Sequence, residues 1–306
     1  MKLKNFLKIE DFSKEEIDLI FEKIDKVKKD YPSNKNQQNN LSAITFFSEP
    51  STRTRFSFER ALSYLKIPVI SSSDASGSSS LKKGESFKDT FRTLSQYSDL
   101  IVFRHFDEKW VEYAKYSRVP VINAGNGSGE HPTQALLDLY TIKSELGNIE
   151  NKNVLICGDL KLGRTVHSLI KVLAQNNCKI LTCPSILYKH ESLPPISLDL
   201  PSSYGFYPSI KINEVEDYLE DIDILYMTRT QKERIDEYNT AFFDFFKLDN
   251  RTINKLKDKC VILHPLPRNE EISEEVDDDP RSAYHERQIK NGLYTRIALI
   301  QYLLQC

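Results

Sequence analysis

The chain has 306 residues, a length that suggests two domains at about 150 residues each and enough material for sizeable buried cores. Lys and Arg total 42 and Asp and Glu total 44, so the net charge is −2; no overall field exists to draw in nucleic acid or an anionic lipid surface, and any basic site must be local. Hydrophobic residues at 40% and charged residues at 28% match an ordinary soluble globular protein, and no run approaches the ~18 apolar residues of a membrane span.

In chain order, Ser13-Lys14-Glu15-Glu16 is a capping box, and Ile17, Ile20, Phe21, Ile24 and Val27 then share one helical face. Tyr31 to Asn40 reads as a loop and Leu41 to Phe47 as a strand. A helix is predicted over Thr52 to Leu65 and a strand over Ile67 to Ser71, followed by a serine-rich loop from Ser71 to Ser80. Helices near Glu85 to Tyr97 and Glu108 to Tyr116 alternate with strands at Leu100 to Phe103 and Val119 to Asn123. A glycine-rich turn, Gly125 to Gly129, precedes a long helix from Thr133 to Leu146.

Beyond Gly147 the alternation repeats. Strands are predicted at Val154 to Cys157, Lys179 to Cys183, Ile222 to Met227 and Cys260 to His264. Helices are predicted at Arg164 to Gln175, Asn213 to Glu220, Asn239 to Phe246 and His285 to Leu304. Strands that alternate with helices point to two α/β domains, each built on a mostly parallel sheet flanked by helices.

The N-terminal stretch has no apolar targeting core and carries carboxylates by Glu10 and Asp11, so it reads as unexported. The cysteines are Cys157, Cys178, Cys183, Cys260 and Cys306, odd in number and without a Cys-x-x-Cys pair. They read as small buried hydrophobes in a reducing, cytoplasmic setting.

Six segments carry candidate chemistry. Ser51-Thr52-Arg53-Thr54-Arg55 lies at a predicted helix start, where N–H groups and the helix dipole favour phosphate; taken alone, it reads as a cap followed by surface arginines. Ser79 to Glu85, with Lys82-Lys83-Gly84, reads as an anion clamp or as a solvated linker. His131-Pro132-Thr133-Gln134 opens another helix, with His131 and Gln134 on one face; the dipole disfavours a charged imidazole there, and a carbonyl group would suit the pair. Gly158 to Thr165 mimics a phosphate-binding P-loop, but Arg164 stands in place of its lysine, and no strand ending in a suitable Asp follows. Thr228 to Arg234 and His264-Pro265-Leu266-Pro267-Arg268 both follow strands, at the carboxyl ends where open α/β sheets build their sites. Arg53, Lys83, Arg104, His131, Arg164, Arg229 and Arg268 all fall near element ends. So many cations suit a small molecule, or a pair of them, with several anionic groups.

These motifs, in this order, resemble the catalytic chains of the aspartate carbamoyltransferase family across nearly the whole sequence. The match rests on Glu49 to Arg55, Lys82 to Glu85, Arg104-His105, His131 to Gln134, Gly158-Asp159 with Gly163 to Ser168, Thr228 to Arg234, and His264 to Arg268. The sister ornithine carbamoyltransferases are less similar at His264 to Arg268, where they carry a Cys-Leu-Pro motif. The resemblance implies two domains: 1–137 with 286–306 for carbamoyl phosphate, the C-terminal helix returning to that domain, and 138–285 for aspartate. It implies carbamoyl transfer from carbamoyl phosphate to the α-amine of L-aspartate, an early step of de novo pyrimidine biosynthesis, with no cofactor and no metal. Another amine acceptor, or an inactive paralogue, is the alternative.

The same resemblance supplies the residue roles. Ser51, Thr52, Arg53 and Thr54 would hold the phosphate, with Arg53 as its main cation, and Arg104 would reach both phosphate and carbonyl oxygen; Thr54, Arg104 and His131 would polarise the carbonyl; Gln134 and the Leu266 carbonyl, in a turn shaped by Pro267, would hold the carbamoyl NH2. Lys83, Arg164, Arg229 and Gln231 would bind aspartate. Ser79 and Lys83 would come from a neighbouring subunit, which implies a homotrimer with shared sites. Glu49 would pair with Arg164 and Arg234 to couple domain closure to ligand binding. A regulatory chain is among the partners the resemblance allows; nucleic acid and membrane are not. The chain departs from the family pattern at Asn126, where an acidic residue is expected, in the serine-rich loop, and between Leu187 and Pro208.

Overall fold

The computed structural model describes residues 4–33, 40–73, 79–188, 195–231 and 242–305. They divide into two compact units, 1–137 with 290–306, and 138–289.

In the first unit, helix α1 (Lys14–Asp30) opens on the predicted capping box: the Ser13 hydroxyl accepts the Glu16 N–H and the Glu16 carboxylate accepts the Ser13 N–H. Strands β1 (Ala43–Phe47), β2 (Val69–Ser72), β3 (Leu100–His105) and β4 (Val121–Asn126) form one parallel sheet in the order β2-β1-β3-β4. Between them run α2 (Arg53–Tyr64), α3 (Phe87–Leu94) and the single turn α4 (Trp110–Tyr113). The core under α3 and α4 joins Ile44, Phe46, Phe91, Ile101, Phe103 and Trp110. Phe6 bridges to β4: its N–H donates to Val121 O at 2.9 Å and its carbonyl accepts the Asn123 N–H at 2.9 Å.

Helix α5 (Pro132–Leu146) follows β4, and the terminal helix α8 (Arg287–Leu304) returns to the first unit, as expected. There the Tyr302 hydroxyl donates to Glu16 at 2.7 Å and its ring packs edge-on against Phe12.

In the second unit, β5 (Asn153–Gly158), β6 (Lys179–Pro184), β9 (Ile224–Met227) and β11 (Val261–Leu263) form a parallel sheet in the order β11-β9-β5-β6. Helix α6 (Arg164–Gln175) has the predicted bounds, and α7 (Asn250–Ile253) is one turn. A small antiparallel sheet, β7 (Ile186–Tyr188) between β8 (Ile196–Ser197) and β10 (Phe242–Asp244), stands beside it in sequence and was not expected. Its strand β10 replaces part of the helix predicted over Asn239 to Phe246; residues 239–241 lie outside the described residues. Paired with β7 and carrying a buried Phe243, this aromatic segment satisfies its backbone across a ladder rather than along a helix. The helix predicted over Asn213 to Glu220 is instead two 3-10 turns, Ile212–Asp217 and Leu219–Asp221, which still bury Val215 and Leu219. Cys157, Cys178, Cys183 and Cys260 are free thiols; Cys306 lies outside the described residues. Among the described residues no helix is long and apolar enough to cross a membrane.

Gly158 ends β5 with φ +123°, and a Cβ built there would lie 1.9 Å from the Thr228 carbonyl oxygen. Only a residue without a side chain lets β5 and the segment after β9 run this close. Gly158→Ala should therefore destabilise the protein by about 2–4 kcal/mol, read as a lowered urea midpoint. A midpoint equal to the wild type would contradict that packing.

Candidate active site

Parallel pairing sets the geometry of the first unit. Phe47 lies opposite Arg104, and the ladder runs one bond further, from Ser48 N–H to Arg104 O at 2.9 Å. The segments that leave β1, β3 and β4 therefore emerge at one edge of the sheet. The segment after β1 carries Glu49 and then enters α2, whose first intrahelical bond runs from Phe56 N–H to Thr52 O. Thr52 is the cap residue, yet its side chain makes no capping hydrogen bond. Thr52 and Arg53 are exposed at this helix start, while Thr54 turns inward and is buried.

Arg104 is buried at the end of β3. Its Nε lies 3.1 Å from a Glu49 carboxylate oxygen, and its two terminal nitrogens donate to Pro50 O at 3.2 Å and Ala124 O at 3.4 Å. The guanidinium thus ties the segment after β1 to β4. A buried cation needs such partners, because desolvation alone would cost more than the fold can supply. Its neighbour His105 is also buried, stacks on Phe106 and accepts the Asp107 N–H at Nδ1, 2.9 Å away. Burial lowers its pKa, so the ring is neutral at pH 7.

His131 sits just ahead of Pro132, the first residue of α5, a position that suits proline. Its carbonyl accepts the N–H groups of Gln134 and Ala135. Its ring lies between two threonines: Nε2 is 3.3 Å from Thr54 Oγ1 and Nδ1 is 3.3 Å from Thr133 Oγ1. The turn that delivers it is stapled by Asn126, whose side-chain oxygen accepts from Glu130 N–H at 2.9 Å and from Asn123 Nδ2 at 3.1 Å. Gly127 within this turn has φ +51°, and a Cβ there would meet Phe106 O at 2.5 Å. An amide, which both donates and accepts, serves this turn where an acidic residue was expected.

The structure thus groups Glu49, Arg104, Thr54 and His131 with the start of α2, and Gln134 follows one turn along α5. Ser79 and Lys83 lie on a separate 3-10 turn, Ser80–Lys83, with Lys83 exposed. Glu49 is paired here with Arg104, which was not among its expected partners; of those two, Arg164 and Arg234, the second lies outside the described residues.

The second unit presents an analogous edge. Arg164 opens α6 and is buried; Arg229 and Gln231 follow β9 and are half-buried. Buried Asp159 joins the two segments, accepting Leu162 N–H at 2.9 Å and Gln231 N–H at 3.1 Å, and Gln231 Nε2 donates to Leu162 O at 2.6 Å. Burial raises the Asp159 pKa against the pull of these amide donors. The Leu160 and Lys161 N–H groups go to Leu198 O. The amides that a P-loop would aim at a nucleotide are therefore spent inside the protein, which removes that reading.

After β11, the Leu266–Pro267 bond is cis and Leu266 has φ +57°. Arg268, counted among the candidate cations from sequence, is instead engaged by Asp277, with Nη2 2.7 Å from Oδ2, while the Tyr284 hydroxyl donates to Asp277 at 2.6 Å. The sequence alone points to no role for Asp159 or for Glu271, whose carboxylate lies 2.8 Å from His264 Nε2. A carboxylate seven positions beyond a histidine in an irregular loop carries no periodic signal.

The fold and both edges define a two-unit α/β protein that gathers guanidinium, hydroxyl and imidazole groups where its parallel strands end. The family model described as "Aspartate/ornithine carbamoyltransferase, carbamoyl-P binding domain" matches residues 4–144, and that described as "Aspartate/ornithine carbamoyltransferase, Asp/Orn binding domain" matches 150–303. The chain belongs to the aspartate/ornithine carbamoyltransferase family. It is 43% identical over 310 residues to an aspartate carbamoyltransferase catalytic subunit of Clostridium perfringens, covering 99% of each chain. To that of Thermoplasma volcanium it is 41% identical, again over 99% of each. Among solved structures, the catalytic subunit of M. jannaschii aspartate transcarbamoylase superposes with a TM-score of 0.82 at 37% identity, over 99% of this chain and 98% of that one. The Trypanosoma cruzi enzyme in complex with carbamoyl phosphate gives 0.82 at 33%, over 98% and 95%.

Burial by itself would raise the Asp277 pKa, but the hydrogen bonds and charge of Arg268 and Tyr284 hold it below its ordinary 3.8. A depressed carboxyl pKa stabilises the fold above the unfolded value and loses that contribution as pH falls through the folded one. Urea unfolding from pH 7 to pH 3 should show Asp277→Asn less stable at pH 7 and with a shallower loss below about pH 4. Parallel curves for the two proteins would contradict the assignment.

Proposed function

We propose that this chain is an aspartate carbamoyltransferase catalytic chain, joining carbamoyl phosphate and L-aspartate into N-carbamoyl-L-aspartate and phosphate, a reaction of de novo pyrimidine biosynthesis. The observation that carries the reading is the convergence of Arg104, the Thr54–His131 pair and the start of α2 at one sheet edge. The unit of 1–137 with 290–306 is then the carbamoyl phosphate domain and that of 138–289 the aspartate domain, with the second boundary four residues beyond the expected 286.

The phosphate is held by Ser51, Thr52, Arg53 and Thr54. The helix start offers N–H donors and a favourable dipole, and Arg53 adds charge. Thr54, Arg104 and His131 surround the carbonyl oxygen and strengthen their hold as it becomes an oxyanion; losing one such donor typically costs about 10²–10³ in rate. Gln134 and the Leu266 carbonyl, in the turn shaped by Pro267, orient the carbamoyl NH2. Arg164 and Arg229 take the two aspartate carboxylates, because a planar guanidinium can bind each with two hydrogen bonds. Gln231 gives one amide hydrogen to Leu162 O and keeps a second for the substrate.

The aspartate α-amine attacks the carbonyl carbon, the bond to the phosphate oxygen breaks, and the departing phosphate takes the amine proton. No cofactor or metal enters this chemistry. Orientation of two bound reactants can contribute roughly 7–11 kcal/mol. Ser79 and Lys83 act in the site of a neighbouring copy, which makes the working assembly a homotrimer, and Glu49 exchanges partners toward Arg164 and Arg234 as ligands bind. The free thiols suit a cytoplasmic setting.

Phosphate release should be seen with carbamoyl phosphate and L-aspartate, and not when ornithine replaces aspartate. Arg53→Ala should lower kcat by at least about 100-fold. Lys83→Gln should be nearly inactive, and mixing it with Arg53→Ala after subunit exchange should restore activity in hybrid assemblies. Turnover with ornithine alone would overturn the acceptor assignment. No recovery in proven hybrids would overturn the shared site.

A further inference from the structure

The second unit contains a buried polar assembly beneath the Leu266–Pro267 turn. His264 follows the last residue of β11. Its Nδ1 lies 2.8 Å from the Leu266 N–H, and its Nε2 lies 2.8 Å from Glu271 Oε1. A backbone N–H only donates, so Nδ1 is the bare nitrogen and Nε2 carries the hydrogen that Glu271 accepts. The two partners fix the tautomer. Glu271 also accepts the Asn269 N–H, at 3.1 Å to Oε1 and 3.2 Å to Oε2. Leu266 and Asn269 flank the turn, so both of its ends hang on one imidazole–carboxylate pair.

The pair is itself held from behind. The His264 N–H donates to Gln288 Oε1 at 3.1 Å, Gln288 Nε2 donates to Asp138 Oδ1 at 2.6 Å, and the Tyr226 hydroxyl donates to Asp138 Oδ2 at 3.0 Å. His264 is 1% exposed and Glu271 5%, which leaves neither within reach of a substrate. Burial would push the Glu271 carboxyl up, but the bonds from His264 and Asn269 keep it below its usual value, so it stays an acceptor. Above this support stands Leu266 at φ +57°, a backbone conformation that side-chain-bearing residues rarely adopt and that needs external constraint.

We infer that His264 and Glu271 are positioning residues for carbamoyl transfer: through the Leu266 and Asn269 amides they aim the Leu266 carbonyl at the carbamoyl NH2. The inference rests on the reading that Leu266 belongs to the carbamoyl phosphate site. Both imidazole nitrogens are engaged, so His264 is not a general base.

The test uses the full chain, with steady-state kinetics and calorimetric titration of inorganic phosphate. His264→Ala removes the acceptor for Leu266 N–H. It should lower kcat by roughly 100-fold, the scale of a small misplacement of a reacting group, and raise KM for carbamoyl phosphate. The Kd for inorganic phosphate, which the first unit holds, should stay unchanged, as should KM for aspartate. His264→Asn places an amide oxygen where Nδ1 stood but drops the bond to Glu271, so it should recover part of the loss and stand about tenfold below wild type in kcat. Should His264→Ala fail to fold, Glu271→Gln takes its place, with a loss of about tenfold in kcat and an unchanged phosphate Kd. A folded His264→Ala at wild-type kcat, an asparagine variant as impaired as alanine, or a Glu271→Gln at full rate would each overturn the inference. A wild type that transfers no carbamoyl group would instead bring down the parent reading, and this one with it.

Discussion

The parallel pairing of β1 with β3, and of β3 with β4, is the constraint on which the first unit depends. Parallel strands release their chains at a common edge, so segments far apart in sequence meet there. Glu49 and Arg104 are 55 positions apart in the chain, yet Nε and carboxylate stand 3.1 Å from each other. Once Arg104 is buried, it must be partnered. Its bonds to Pro50 O and Ala124 O then fix the segment that precedes α2. That segment sets where the helix begins, and so where Thr54 meets His131.

The second unit solves a similar problem with a carboxylate. Asp159 is fully buried and takes the amides of Leu162 and Gln231, which locks the Arg164 segment to the Arg229 segment. The close approach at Gly158 makes this lock possible, since β5 and the chain after β9 are too near for any side chain between them. Asp277 does the same for Arg268, diverting a cation that sequence counting had assigned to ligand binding. Charge near a strand end is thus a poor guide alone; what decides is whether the protein already supplies the counter-charge.

Much of this was legible in the sequence. The capping box at Ser13, the bounds of α6 and the strand–helix alternation are local signals, and each reappears in the structure. The motifs at Ser51, His131 and Gly158 also stand where sequence placed them, at helix starts. The failures share a cause. Residues 242–244 and 212–221 are short, and their apolar spacing fits more than one backbone; pairing with β7 or burial of Val215 and Leu219 decided the outcome. The partners of His264, Arg104 and Arg268 were invisible because side-chain pairing across loops leaves no period in the chain.

The central claim is that hydroxyl, guanidinium and helix-start N–H groups at the carboxyl edge of β1, β3 and β4 hold a phosphate dianion. Calorimetric titration with inorganic phosphate, at low and at raised ionic strength, addresses it most directly. Saturable binding of one phosphate per chain, displaced by carbamoyl phosphate and lost in Arg53→Ala, is the predicted result. Absence of binding, or binding that Arg53→Ala leaves intact, would contradict it.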